Sequence, residues 1–287
     1  MEMKQDEYSI VFMSKILGVT KSGYYKWLAN KNKPYKYANL LASIRKILEE
    51  DKENSEYGIV RMHQALKYKF NIKESQSTVA RVMRENGLTH KKKRNPLSLT
   101  KEDKKAQKED DLLRRDFHAE KPNEKAVTDI TQLETADGRL YISSVFDCYD
   151  NYCLGLSMAD NMRKELVIDT ILQIRTADII IHSDRGKQYT SEEYKKTMKY
   201  FKMKQSMNSA GGRCHDNAKC ESMWARFKEE LIYGKINTAK MRMEEVKQIV
   251  FRYFMGYWNN RRICSSIGGV PPAYKRAKYY EQLNIAA

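Results

Sequence analysis

"IIIHSDRGKQYTS", residues 179–191, decides how the middle of the chain folds. Three isoleucines run straight into His182, Ser183, Asp184, Arg185 and Gly186. A short apolar run bounded by a glycine turn reads as a buried strand. Here the strand ends on a carboxylate flanked by His and Arg, a place that suits either a metal or reacting group or a plain turn.

The neighbouring segments set the class. Upstream, "EKAVTDITQL" (124–133), "RLYISSVFDCYD" (139–150) and "YCLGLSM" (152–158) are short β-rich runs, and "ADGR" (136–139) is a turn signal between the first two. Then "KELVIDTILQI" reads as a helix, residues 178–184 as a strand, and "SEEYKKTMKYF" as a helix capped by Ser191. "KMKQSM" is a short strand, and "DNAKCESMWARFKEELIYGK" (216–235) is a helix starting near Asp216 or Asn217. Three consecutive hairpin strands, then helix, strand, helix, strand, helix, predict an α/β domain with one mixed central sheet.

The amino-terminal third is different. "YSIVFMSKILGVTKSGYYKWL" (8–28) predicts two short helices around Gly18, with Thr20 or Ser22 capping the second, in helix-turn-helix outline. "LLASIRKILEE" carries apolar residues at 40, 41, 44, 47 and 48, a helical spacing. Residues 57–70 and 75–88 follow as helices, the last capped by Ser75 or Ser77 and stopped at Gly87, with Lys67, Arg81 and Arg84 on exposed faces. Residues 89–122 are charged and poor in apolar side chains, a linker with helix expected around 101–117. Its Lys91, Lys92, Lys93 and Arg94 suit phosphate contacts that carry no base information. The domain boundaries expected are 1–36 (helix-turn-helix-like), 37–90 (helical DNA-binding module), 91–122 (basic linker), 123–235 (α/β core) and 236–287 (helical extension of the core).

Composition narrows the function. The 287 residues hold 53 Lys and Arg against 37 Asp and Glu, a net charge of +16. That excess, clustered as it is, points to a polyanionic partner such as nucleic acid. No stretch approaches 18 consecutive apolar residues, so no membrane span is expected, and no signal peptide is apparent at the start. Five cysteines (148, 153, 214, 220 and 264) lack framework spacing and read as reduced thiols in the cytoplasm. Cys214, His215 and Cys220 match no zinc-site spacing.

Three carboxylates could carry chemistry: Asp129 in the first strand of the α/β domain, Asp184 at the end of the fourth, and Glu221 in the helix of 216–235. Phosphoryl transfer asks a protein mainly for positioning and for metal ions that activate the attacking oxygen and shield the leaving one. Magnesium takes hard oxygen ligands, which carboxylates converging from separate elements supply. Glu221 and Lys228 are seven apart and share a helix face, so a lysine there can meet a phosphate near the metals. Trp224 and Phe227 lie on the packing side. For any one carboxylate the ordinary reading is a solvated surface residue.

At "TDIT" (128–131), "HSDRGKQYTS" (182–191) and "CHDNAKCESMWARFKEEL" (214–231) the chain resembles the transposases of two-reading-frame bacterial insertion sequences, of the downstream-frame (OrfB) type. These have a DDE catalytic core like that of retroviral integrases. The two gaps between the acids, 54 and 36 residues, are close to that family's pattern. "SGYYKW" (22–27), "YGIVRMHQAL" (57–66), "VARVMRENGL" (79–88) and "YWNNRRICSSIGGVPPAY" (257–274) resemble its flanking regions. The resemblance therefore covers nearly the whole chain.

It implies an RNase H-like fold, with Asp129, Asp184 and Glu221 as the triad holding two magnesium ions, for which manganese can substitute. It implies cutting of double-stranded DNA at the element's terminal inverted repeats and joining of that end to target DNA. No covalent protein–DNA intermediate is expected. His182, Arg185, Gln188, Asn217 and Lys228 match motif positions beside the acids and take supporting roles, positioning the carboxylates or contacting the scissile strand. A homo-oligomer on DNA is expected, as is fusion with, or binding to, an upstream-frame product. The location implied is the bacterial cytoplasm, at the nucleoid.

Ala126 stands where the family often has Trp, and Lys187 where it usually has Ser. The segment "KELVIDTILQIRTA" before the fourth strand is short, so an imperfectly set Asp184 and a decayed, inactive copy are one alternative. Another is a non-catalytic DNA-binding protein in which the α/β domain is scaffold. A third is an RNase H-like nuclease of repair or of RNA–DNA hybrids.

Overall fold

The computed structural model describes residues 1–89, 111–114, 116–208 and 217–286. The chain forms two compact units, Met1–Ser43 and Ile44–Ala287. The first holds α1 (Ile10–Ile16) and α2 (Lys21–Asn30). Gly18 between them is left-handed at φ 64°, and the Thr20 hydroxyl accepts from Gly23 N–H to cap α2. Helix α3 (Ala38–Glu50) crosses the boundary between the units.

In the second unit α4 (Ile59–Phe70) and α5 (Gln76–Glu85) pack together, with Ser75 capping α5 and Gly87 left-handed just beyond it. Val79, Ala80, Val82 and Met83 bury one side of α5, leaving Arg81 and Arg84 exposed. The described residues between 111 and 117 form a turn and irregular chain rather than the helix expected there. The Asp111 carboxylate accepts from the N–H groups of Leu113 and Arg114, a local bond that competes with helix formation.

The sheet holds β1 (Lys125–Thr135), β2 (Gly138–Asp147), β3 (Cys153–Ala159), β4 (Ile180–Ser183) and β5 (Lys204–Met207), in the order β3-β2-β1-β4-β5. The first three pair antiparallel as hairpins, whereas β4 joins β1 and β5 joins β4 in parallel. Between them run α6 (Lys164–Ile171) and α7 (Glu192–Tyr200), the latter capped by Ser191. They cover one face of the sheet, burying Val167, Ile171, Tyr194 and Met198 against Ala126, Val145, Ile179 and Ile181. Ala126 is fully buried in this layer.

The opposite face is covered by α8 (Ala218–Phe227), α9 (Met243–Phe251) and the wide helical turn 252–258. Trp224, Phe227, Tyr253, Phe254 and Trp258 pack there on Val127, Leu140, Ile142 and Phe146. Helix α10 (Pro272–Ala286) closes the chain. The result is the mixed α/β architecture expected from the strand and helix order, with its sheet buried on both faces.

The α4 region is locked to this layer by a buried ion cluster. Glu230, 2% exposed, accepts from Arg262 through Nε (2.7 Å) and Nη2 (2.6 Å), from Arg61 Nη1 (2.7 Å) and from the Tyr253 hydroxyl (2.8 Å). Burial pushes the Glu230 carboxyl up, but the Arg262 and Arg61 charges and hydrogen bonds outweigh it and hold the group down at about 2. Nearby, the Tyr257 hydroxyl donates to Asn54 Oδ1 (3.0 Å), and Ile263 N–H donates to the Tyr57 hydroxyl (2.9 Å).

Candidate active site

The site is built from strand register. In the parallel pair, Lys125 stands opposite Ile180, Ala126 opposite Ile181 and Val127 opposite His182. Two residues further along each strand come Asp129 and Asp184. In-register parallel strands about 4.8 Å apart therefore present both acids at one level. β4 ends at Ser183, so Asp184 opens the loop and is freed from the pleat.

Each acid is held by a short local bond. Asp129 Oδ1 accepts from Ile130 N–H at 2.8 Å, and Asp184 Oδ1 accepts from Gly186 N–H at 2.9 Å. Burial raises the Asp129 carboxyl to about 7, with help from the Asp184 and Glu221 charges, against the Ile130 hydrogen bond and Lys228. Asp184 is also raised, by burial, against the Gly186 hydrogen bond and His182. Glu221 lies exposed on α8 and Lys228 half-buried at its end. Burial lowers the Lys228 ammonium while the Asp129 charge supports it. Asp129 thus lies within reach of charge from three separate elements, Asp184 past β4, Glu221 on α8 and Lys228 at its end.

Gly186 is a site residue that the motif alone did not single out. A Cβ there would lie 2.8 Å from Gln188 Oε1 and 3.1 Å from Asp184 Oδ1. The signal was present as Asp-x-Gly, the spacing of a carboxylate that accepts from a backbone N–H two residues on. Thr128 and Tyr189 form the floor. The Thr128 hydroxyl donates to Ser144 O (2.9 Å) and lies 3.4 Å from the Tyr189 hydroxyl. Burial and the Asp129 and Asp184 charges push the Tyr189 phenol far up, so it stays neutral.

The motif neighbours divide by contact. His182, buried, lies 2.8 Å from Ser206 Oγ through Nδ1 and 2.9 Å from Asn208 Oδ1 through Nε2. Asn208 Oδ1 can only accept, so His182 Nε2 donates to it, and in the neutral ring Nδ1 accepts from the Ser206 hydroxyl, whose oxygen also accepts from Leu112 N–H. Arg185 Nε donates to Asn208 O at 2.6 Å. Both residues therefore grip the end of β5. Gln188 donates to Met162 O (3.0 Å), tying the loop after Asp184 to the one before α6. Asn217 stands at the N-cap of α8, yet its side chain makes no cap bond and instead donates to Thr128 O at 3.2 Å. Lys91, Lys92, Lys93, Arg94, Cys214 and His215 lie outside the described residues; the four described cysteines are buried and free.

Among the described residues no three His, Cys, Asp or Glu side chains are already gathered as a cation cage. The donor set nevertheless fits a hard dication. A buried carboxylate raised by burial first and then by the Asp184 and Glu221 charges, with one partly buried lysine opposing them, is relieved by added positive charge. A cleft of about 550 Å³ lies on the other flank of α8, bordered by Lys219, Ser222 and Arg226 together with Arg61, Ser265 and Ser266.

Comparison with known proteins gives three family matches: an HTH-like domain over residues 35–96 and integrase core domains over 119–212 and 202–272. Transposase InsF for insertion sequence IS3A of Escherichia coli (strain K12) is 31% identical over 295 residues, covering 99% of this chain and 98% of its own. An insertion element IS600 31 kDa protein of Shigella sonnei is 29% identical over 275 residues, covering 94% of this chain and 99% of its own. Among solved structures, a simian T-cell lymphotropic virus intasome aligns at TM-score 0.44 and 12% identity over 74% of each chain. The HTLV-2 integrase catalytic core in complex with magnesium aligns at TM-score 0.37 and 13% identity, covering 55% of this chain and 98% of its own.

Proposed function

Because the chain belongs to the InsF-type insertion-sequence transposases, with an HTH-like domain ahead of an integrase core, we propose that it cuts and joins DNA with the triad Asp129, Asp184 and Glu221. The observation that carries this reading is the strand register, which sets Asp129 of β1 level with Asp184 just past β4, beside β1's contact with α8, the helix that bears Glu221. The substrates are the element's own ends and a target duplex.

The residues divide the work. Asp129 and Asp184 stand level at adjacent strands and Glu221 lies on α8, which packs on β1, a set of oxygen donors suited to two magnesium ions, or manganese in their place. Bound, those ions supply charge for the phosphate oxygens and favour deprotonation of the attacking water or 3′-hydroxyl. The attacking oxygen forms a bond to phosphorus as the bond to the leaving 3′-oxygen breaks, and no side chain joins the DNA covalently. Lys228, on the Glu221 face, is placed to take a phosphate oxygen. Ile130 N–H and Gly186 N–H fix one oxygen of Asp129 and of Asp184, which orients the second oxygen of each as a metal ligand. His182, Arg185 and Gln188 hold the surrounding loops, and Asn217 holds α8 against β1. Arg81 and Arg84 of α5, with Lys91–Arg94, serve duplex binding.

The test is strand nicking and end joining on a labelled duplex carrying the element's ends, with MgCl2 or MnCl2, comparing the native chain with Asp184→Asn. Products that require metal and vanish in the variant are expected. Products that survive in Asp184→Asn, Asp129→Asn and Glu221→Gln alike would overturn the triad.

A further inference from the structure

We propose that Lys219 is a positioning residue for Glu221: its ammonium fastens the first turn of α8 to the end of β2. The inference rests on the triad reading and adds to it a residue with no carboxylate chemistry of its own.

Two hydrogen bonds, two residues apart, bind this turn to two neighbouring strands. Asn217 Nδ2 donates to Thr128 O on β1 at 3.2 Å, one residue before Asp129. Lys219 Nζ donates to Cys148 O, just past β2, at 2.8 Å. The packing of Trp224 and Phe227 holds the later turns of α8, and one anchor alone leaves its first turn room to roll. The second, from a side chain about 200° further round, removes that freedom. Glu221 follows two residues later. A roll of about 20° carries a carboxylate at the helix rim through about 2 Å, a displacement that phosphoryl transfer does not tolerate.

The receiving carbonyl is itself fixed. Cys148 N–H donates to Lys125 O at 2.8 Å. The turn 147–151 is held from the other side by α10, whose Lys275 Nζ donates to Tyr149 O (2.7 Å). Arg276 of the same helix bonds Asp150 through Nε (2.7 Å) and Asp147 through Nη2 (2.6 Å). Asp147 and Asp150 are both fully buried. Lys219 thus connects the helix bearing Glu221 to a rigid corner. The same ammonium borders the 550 Å³ cleft, so a phosphate contact there is the competing role.

The experiment compares the full chain with Lys219→Met, which keeps the stem and loses the donors, and Lys219→Arg, which keeps a donor. Three readouts are taken: Mn2+ affinity by EPR titration, affinity for the element's end duplex, and the nicking rate at saturating DNA. The proposal expects Lys219→Met to weaken Mn2+ binding and slow nicking by about tenfold each, with duplex affinity within about twofold of native and Lys219→Arg restoring most of both. Native Mn2+ affinity and rate in Lys219→Met would overturn it, as would a fall in duplex affinity alone, which would make Lys219 a phosphate contact. Asp129→Asn and Glu221→Gln run alongside: if these also bind Mn2+ as the native chain does, it is the triad reading that has failed.

Discussion

Gly186 sits where a methyl group has little room, crowded by the Gln188 amide and by the Asp184 carboxylate. In Gly186→Ala the Gln188 amide can swing away, but Asp184 must shift by a few tenths of an ångström or lose its backbone hydrogen bond. Nicking is expected to fall about tenfold while thermal unfolding moves by less than about 4 °C, which activity assay and calorimetry will check. At this scale the sequence was informative about identity and silent about contact. The acids stand out in the sequence because three ordered motifs contain them, and Asn217 because it sits in one of those motifs. That the Asn217 amide reaches Thr128 rather than capping its own helix depends on how α8 lies on the sheet, which local spacing does not encode. His182 and Arg185 were likewise visible as neighbours of Asp184. Their common grip on Asn208 comes from the parallel pairing of β4 with β5.

Element order was the most readable level, since period-two runs, the turn at 136–139 and caps such as Ser75 and Ser191 act locally. The expected linker helix failed over its described part because Asp111 supplies a side-chain acceptor to the backbone. For α5 the solvent-facing guanidinium groups lead to a separate prediction. Arg81→Ala and Arg84→Ala are each expected to lower the salt dependence of end-duplex binding by about one unit of slope, measured by fluorescence anisotropy between low and moderate salt. An unchanged slope in both would remove α5 from the DNA interface. The segment around Glu230 carries a stability prediction. Its carboxyl is held at about 2 against an ordinary 4.5, so its contribution is complete above about pH 4.5 and is lost as pH falls through that value toward 2. The pair of values corresponds to about 3 kcal/mol. Glu230→Gln strands two arginines at neutral pH. Its urea midpoint is expected well below native at pH 7, with the gap closing toward pH 3.

The whole molecule divides in a place that composition does not mark. Charge density sets off residues 89–122, yet the compact units part at Ser43, and the helices of 44–88 belong with the catalytic domain. The partners that decide this, Arg61 with Glu230 and Tyr57 with Tyr257, are separated by 169 and 200 residues, beyond the reach of any windowed pattern. A chain trimmed to 37–287 is expected to keep the urea midpoint of the parent's second unit. One trimmed to 111–287 exposes the Glu230–Arg262 pair and an aromatic layer, and is expected to aggregate or unfold at least 2 kcal/mol more easily. Light scattering and denaturation will distinguish them. The level standing of Asp129 and Asp184 has a further consequence for how such genes drift. Their spacing in space is set by which residue of β1 faces which residue of β4, and the 54 residues between them only have to return the chain to that edge. Codons can be gained or lost between β3 and β4 without moving the two acids apart. A single codon inserted inside β1, ahead of Asp129, would turn that aspartate to the other face and silence the element at one stroke.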